Sequence, residues 1–204
     1  VSHPKKVAII GGGIGGMEAA RVLSLRGHKP VIYEKSGELG GIFIAAAAPE
    51  FKEKDRALID WYKKQMKDLE IDIRYNNKVT SLKKFNGYDE VIVATGSKAR
   101  MLRINGIENA MEACDYLLGN KEVGQKVVII GGGLTGCEIA LDLHRKGKNP
   151  VIVEMKNDLI AVKGICLANS SYLREYFALN QIEVHLETGV SQIKPNGVVI
   201  ISKD

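Results

Sequence analysis

One stretch of this chain occurs twice. Lys6 to Glu34 and Lys126 to Glu154 are each 29 residues long, lie 120 residues apart and share 16 of 29 positions. Each copy begins with an apolar run, Val7-Ala8-Ile9-Ile10 or Val127-Val128-Ile129-Ile130. Three glycines follow at once, then a helix-forming stretch, a second glycine, and an apolar run that ends on a glutamate. A continuous apolar run that stops at glycine is the signature of a strand buried on both faces of a parallel sheet. The expected fold is therefore α/β: two Rossmann-like βαβ dinucleotide-binding domains with parallel sheets.

The glycine spacing has a specific physical use. Gly11 and Gly131 allow the sharp strand-to-helix turn. Gly13 and Gly133 have no side chain, so a pyrophosphate can approach the backbone. Gly16 and Gly136 let the helix pack close to its strand. The free N–H groups and the positive end of the helix dipole then face the phosphates. Ile14 and Gly15 in the first loop, and Leu134 and Thr135 in the second, complete these cradles. Glu34 stands 18 residues past Gly16, placed to accept hydrogen bonds from an adenosine ribose, and Glu154 repeats it. A lone glycine-rich turn with a solvent-facing acid would be weak. Two copies with the acid at one offset imply two dinucleotide sites.

The rest of the chain supports two domains, 1–103 and 104–204. Helices are expected at 17–26, 50–69, 110–118, 137–146 and 167–179. Strands are expected at 31–34, 71–75, 79–82, 91–96, 150–154 and 182–186, and 190–201 reads as a hairpin around Pro195-Asn196-Gly197. In 50–69, Phe51, Leu58, Ile59, Tyr62, Met66 and Leu69 form the core stripe, with Trp61 beside it. Net charge is +5 and the lysines are scattered. That excludes a dedicated nucleic-acid surface and fits anionic cofactors. Cys114, Cys137 and Cys166 are too far apart in sequence to form a redox disulfide or a metal ligand set, and they point to a cytoplasmic setting. No metal site, membrane segment or catalytic side chain is expected.

The copies differ after their acids. Lys35 follows Glu34, then Gly40-Gly41 and a run of alanines give a long cofactor a second backbone approach. This is the pattern for FAD. After Glu154 comes Met155-Lys156-Asn157-Asp158 with no glycine pair, the pattern for a cofactor that binds and leaves, NAD(H). Glu154 would repel a 2′-phosphate, and Lys156 tempers that. Ala94-Thr95-Gly96 ends a strand expected to stop near the first cofactor.

The order of the glycine loops, Glu34, Gly40-Gly41, Ala94-Thr95-Gly96 and Glu154 resembles the two-dinucleotide flavoprotein reductases (pyridine nucleotide-disulfide oxidoreductase-like). More narrowly, Leu39-Gly40-Gly41-Ile42, the alanine run with Pro49, and Leu58-Ile59-Asp60-Trp61-Tyr62-Lys63 resemble the C-terminal region of the multidomain old-yellow-enzyme group. That group includes NADH:flavin oxidoreductases, 2,4-dienoyl-CoA reductases and enoate reductases. The resemblance implies hydride transfer from NADH to FAD. Electrons then pass through a [4Fe–4S] cluster to FMN in an N-terminal (β/α)8 barrel. It also implies that Ile42, Lys52 and Val79 touch FAD. The chain starts Val-Ser-His-Pro and is read as a fragment of such a protein, without the barrel and without the family's C-terminal return to the flavin. The alternatives are a thioredoxin- or ferredoxin-reductase-like enzyme, and a nucleotide-binding module without turnover.

Overall fold

A computed structural model describes residues 1–202. The chain divides into two compact units, Val1–Lys98 and a second from Ala99 onward.

In the first unit β1 (Lys6–Ile10), α1 (Ile14–Leu25) and β2 (Lys29–Tyr33) form the first βαβ element. A short helix α2 (Phe43–Ala46), the long α3 (Glu53–Asp68), β3 (Asp72–Arg74) and β4 (Glu90–Val93) follow. The sheet is parallel throughout, in the order β3-β2-β1-β4. Val7 and Ile9 face α1 and pack with Met17, Ala20, Ile32, Leu39 and Met66. Ala8 and Ile10 face the other way and are covered by Phe85, with Tyr33, Val79 and Tyr88 around it.

Helix α1 starts at Ile14, three residues before the expected Met17. Apolar periodicity does not register glycine, yet Gly15 and Gly16 already carry helical backbone. The helix ends as expected at Gly27, whose φ of +83° lets its N–H close on the Ser24 carbonyl.

Two expectations fail here. Residues 79–81 form no strand, and Leu82–Phe85 is a 3-10 turn capped by the Ser81 hydroxyl. The segment serves instead to bring Phe85 under the sheet. The apolar run 91–96 is not buried: Val91 is exposed and Val93 is 62% exposed. The reason lies in β4, which among the described residues is an edge strand paired only with β1. In α3 the stripe holds at Ile59 and Met66, whereas Leu58 is exposed.

The second unit opens with α4 (Ala113–Leu117) and repeats the first element as β5 (Lys126–Ile130), α5 (Leu134–Arg145) and β6 (Asn149–Val153). Helix α6 (Leu167–Leu179) and β7 (Glu183–His185) complete a parallel sheet in the order β5-β6-β7. A hairpin of β8 (Thr188–Lys194) and β9 (Gly197–Ser202) follows, with an irregularity between Val190 and Gln192. The repeat is kept in register. Lys6 pairs with Lys29 as Lys126 pairs with Asn149, and Ile10 with Tyr33 as Ile130 with Val153. Tyr116 anchors α4, donating to the buried Asp142 at 2.6 Å while Lys146 reaches the same oxygen at 2.7 Å.

Candidate dinucleotide-binding sites

The first loop is shaped by backbone contacts that only glycine permits. At Gly11, where φ is +108°, a Cβ would lie 2.3 Å from the Ala94 carbonyl oxygen. At Gly16 it would lie 1.9 Å from the Gly11 oxygen. The second loop repeats the backbone angle at Gly131, φ +108° with nothing within 4 Å of an added Cβ, and the close contact at Gly136, where the distance is 2.0 Å. Gly15 and Gly133 are open, with nothing within 4 Å of an added Cβ. The N–H groups of Ile14, Gly15 and Gly16, and of Leu134, Thr135 and Gly136, open a helix and have no carbonyl one turn back within it. Each loop is thus an open cradle of backbone donors at the positive end of a helix, the shape and polarity a pyrophosphate requires.

The acid is tied into the loop. Glu34 is buried. Its Oε2 accepts from the Gly12 N–H at 2.7 Å, and its Oε1 accepts from the Ser36 N–H at 2.8 Å and the Ser36 hydroxyl at 2.7 Å. Burial pushes the carboxyl upward, but the two N–H bonds, the hydroxyl and the adjacent Lys35 outweigh it and hold it below the ordinary glutamate value. Glu154 repeats the pattern at the half-buried level, accepting from Gly132 N–H at 2.7 Å and Lys156 N–H at 2.8 Å. Gly12 and Ser36 are the residues the sequence reading passed over. Gly12 repeats as Gly132 in the second triplet, but both Gly12 and Ser36 act through main-chain N–H groups, which residue identity does not reveal.

The copies separate after the acid. Gly40 donates its N–H to the Gly12 carbonyl at 2.9 Å and bridges to Gly13. Gly41, with φ +57°, sits so that a Cβ would be 3.3 Å from Gly13 Cα. The chain then winds directly into α2. Exposed Gly41 and Ile42 therefore continue the cradle begun by Gly13. In the second copy Ile160 donates to the Gly132 carbonyl at 2.7 Å, the bond Gly40 makes. Ile160 holds a left-handed φ of +53° while only 3% exposed. Such a backbone is strained for a β-branched residue. Val162 N–H then folds back to the Ile160 carbonyl at 2.7 Å, and Lys156 Nζ holds the Ala161 carbonyl at 3.0 Å. The second loop turns away where the first continues.

The remaining expected residues are placed as follows. Ala94 abuts Gly11, and exposed Thr95 and Gly96 follow it. Lys35 is exposed beside Glu34. Lys52 closes the turn before α3 and lies 3.7 Å from Asp55. Val79 packs on the Phe85 side of the sheet, two residues past Asn77, whose N–H binds the Glu34 carbonyl at 2.8 Å. Cys137, in the first turn of α5, is buried and pushed up to about 12 by that burial, which makes it a packing residue and no nucleophile. Among the described residues no group of three or more His, Cys, Asp or Glu could hold a metal ion, and no helix is long and apolar enough to cross a membrane.

Two glycine cradles on parallel βαβ units, each with its own acid, define a protein of the two-dinucleotide-fold class. Residues 5–204 match the family described as pyridine nucleotide-disulphide oxidoreductase. The chain belongs to that family, whose members bind FAD and NAD(H). A cinnamate reductase of Clostridium sporogenes is 46% identical over 199 residues, 96% of this chain and 30% of the reductase. An NADH oxidase of Thermoanaerobacter brockii is 34% identical over 213 residues, covering 98% of this chain and 32% of the oxidase. The solved complex of a 2-naphthoyl-CoA reductase with 2-naphthoyl-CoA superposes with a TM-score of 0.88 at 27% identity, over 99% of this chain and 31% of that one. The narrower likeness to the old-yellow-enzyme group stands with these relatives. The chain spans about a third or less of their lengths, 30–32%.

Proposed function

We propose that this chain is the NADH-oxidising, FAD-carrying portion of a flavin-dependent oxidoreductase. One observation carries the reading. Gly40 and Gly41 extend the first cradle along Gly13, whereas Ile160 turns the second away. The first site then suits the longer and more firmly held dinucleotide, FAD, and the second suits the exchanging one, NAD(H).

In this reading the amides at Gly13 to Gly16 and Gly133 to Gly136 hold the two pyrophosphates. Glu34 and Glu154 accept from the adenosine riboses with lone pairs left over from their loop bonds. Gly41, Ile42, Lys52, Val79 and the Ala94–Gly96 segment line the rest of the flavin site, and Lys35 flanks its ribose end. When bound, the two cofactors supply a hydride donor and its acceptor. The protein binds, orients and excludes water, and no side chain is required as acid or base. The relatives' names favour a conjugated carboxylate or thioester as the final acceptor. FMN and a [4Fe–4S] cluster in an N-terminal barrel would connect to it, and a cytoplasmic setting fits.

The test is titration of the purified chain with FAD and with NADH, followed by anaerobic addition of NADH to the flavin-loaded protein. Binding of both and loss of the visible flavin band support the proposal. Binding of NADH without any retention of FAD would reduce the chain to a nucleotide-binding module. Binding of neither overturns the two-site reading.

A further inference from the structure

We infer that Lys156 opens the second site to NADP(H), so that this site discriminates weakly between the phosphorylated and unphosphorylated nicotinamide dinucleotides. The inference rests on the assignment of Glu154 to the adenosine ribose. It comes from the one position where the two copies hold their acids differently.

In the first copy, position 36 is serine. Its N–H and its hydroxyl both bond Glu34 Oε1, so that oxygen is filled, and the acid is buried. In the second copy the equivalent position is Lys156. Its N–H makes the same bond to Glu154 Oε1 at 2.8 Å, which fixes the Lys156 backbone beside the ribose acid. The hydroxyl is gone, and an exposed cation replaces it. That cation is free of carboxylates among the described residues. Its Nζ meets the neutral carbonyl of Ala161 at 3.0 Å. Asp158, two residues on, is already held by Arg174 through bonds of 3.0 Å and 2.8 Å, and Glu187 meets Lys156 through its main-chain N–H at 2.9 Å. A ribose 2′-phosphate at Glu154 would meet one carboxylate that repels it and, from the residue whose N–H holds that carboxylate, one exposed ammonium that attracts it. The two effects offset each other, and an ammonium is a sufficient phosphate partner as a point charge. The tether to Ala161 is a single hydrogen bond to a neutral group, which a phosphate outcompetes.

The experiment compares binding of NADH and NADPH to the purified chain by calorimetry at low and moderate salt, using the wild type, Lys156→Ser and Lys156→Arg. Lys156→Ser installs the residue of the first copy. The wild type should bind NADPH within about tenfold of NADH. Lys156→Ser should weaken NADPH by tenfold or more and move NADH by less than threefold. Lys156→Arg should retain NADPH, and added salt should weaken NADPH more than NADH. A wild type that binds NADPH over a hundredfold more weakly than NADH overturns the inference. So does a Lys156→Ser variant in which both nucleotides weaken equally, since that marks a role in loop shape alone. If neither nucleotide binds the wild type, the ribose assignment falls, and this inference falls with it.

Discussion

Replacing Glu34 by glutamine tests whether the acid builds the first loop as well as serving a ligand. The carboxylate accepts three bonds in a buried position, from Gly12 N–H, Ser36 N–H and the Ser36 hydroxyl. Glutamine has the same shape but one acceptor oxygen and one donor. With its oxygen toward Gly12, its amide group meets the Ser36 N–H, donor against donor. Turned over, it leaves Gly12 N–H facing a donor. Either way one N–H loses its partner, buried at Gly12 or part-buried at Ser36, at a cost of about 1–3 kcal/mol. The bonds that survive lose their charge assistance, roughly half their strength. The sum is about 2–4 kcal/mol, a large share of the stability of a unit this size. Trp61 is the only tryptophan and sits in the same unit, 4.8 Å from the Tyr62 ring and under the Arg21 guanidinium. Its fluorescence therefore reports unfolding of that unit. With a urea dependence of roughly 1 kcal/mol per molar, Glu34→Gln should lower the Trp61 midpoint by about 2 M or more. Lys35→Gln, at the exposed neighbour, should leave it within about 0.5 M, as surface substitutions do. A Glu34→Gln midpoint within about 0.3 M of wild type would refute the reasoning, because the three bonds would then contribute nothing net.

Three further outcomes are expected. Gly16→Ala forces a Cβ to 1.9 Å from the Gly11 carbonyl oxygen and should cost more than about 3 kcal/mol, while Gly15→Ala, with nothing within 4 Å, should be neutral or slightly stabilising; urea midpoints separate the two. Tyr116→Phe removes the hydroxyl that binds buried Asp142 and should destabilise the second unit by about 1–2 kcal/mol, measured by circular dichroism. The Glu34 carboxyl is held below its ordinary value, so its stabilisation is present above roughly pH 4.3 and is lost as pH falls through the depressed folded value; an acid titration should show wild type losing its advantage over Glu34→Gln in that window, and parallel curves would contradict it.

The strand–loop–helix frame was legible because each feature has a sequence cost. Glycines at 11, 16 and 136 are dictated by contacts that leave no room for a Cβ, and Gly131 shares the positive φ of Gly11, whereas Gly13 and Gly133 have space and are kept bare only toward a ligand. What was illegible depends on tertiary neighbours. Val79 to Leu82 has a strand's composition, but no sheet position receives it, and Phe85 is wanted under Ala8 and Ile10. Val91 and Val93 read as core, yet they lie on the Phe85 face of an edge strand, beyond the cover that Phe85 gives Ala8 and Ile10. Ile160 is the clearest case. No propensity predicts isoleucine at positive φ, and only the bond it shares with Gly40 shows why it is there. Where the site is concerned, the acids were visible at their offset, but their attachment to Gly12, Ser36, Gly132 and Lys156 was not, since a hydrogen bond to a main-chain N–H leaves no mark on the identity of its donor.

The open edge of β4 governs how this chain behaves in concentrated solution. Its outward N–H and C=O groups form a ready template for another strand, and Val91 and Val93 add apolar surface beside it. Among the described residues that margin carries no proline, and its charged group is Glu90 at the start of β4, already paired with Lys5. Crowded molecules of this chain gain hydrogen bonds and lose wetted valine surface by meeting along β4. Association along β4 therefore competes more strongly with the single molecule as concentration rises.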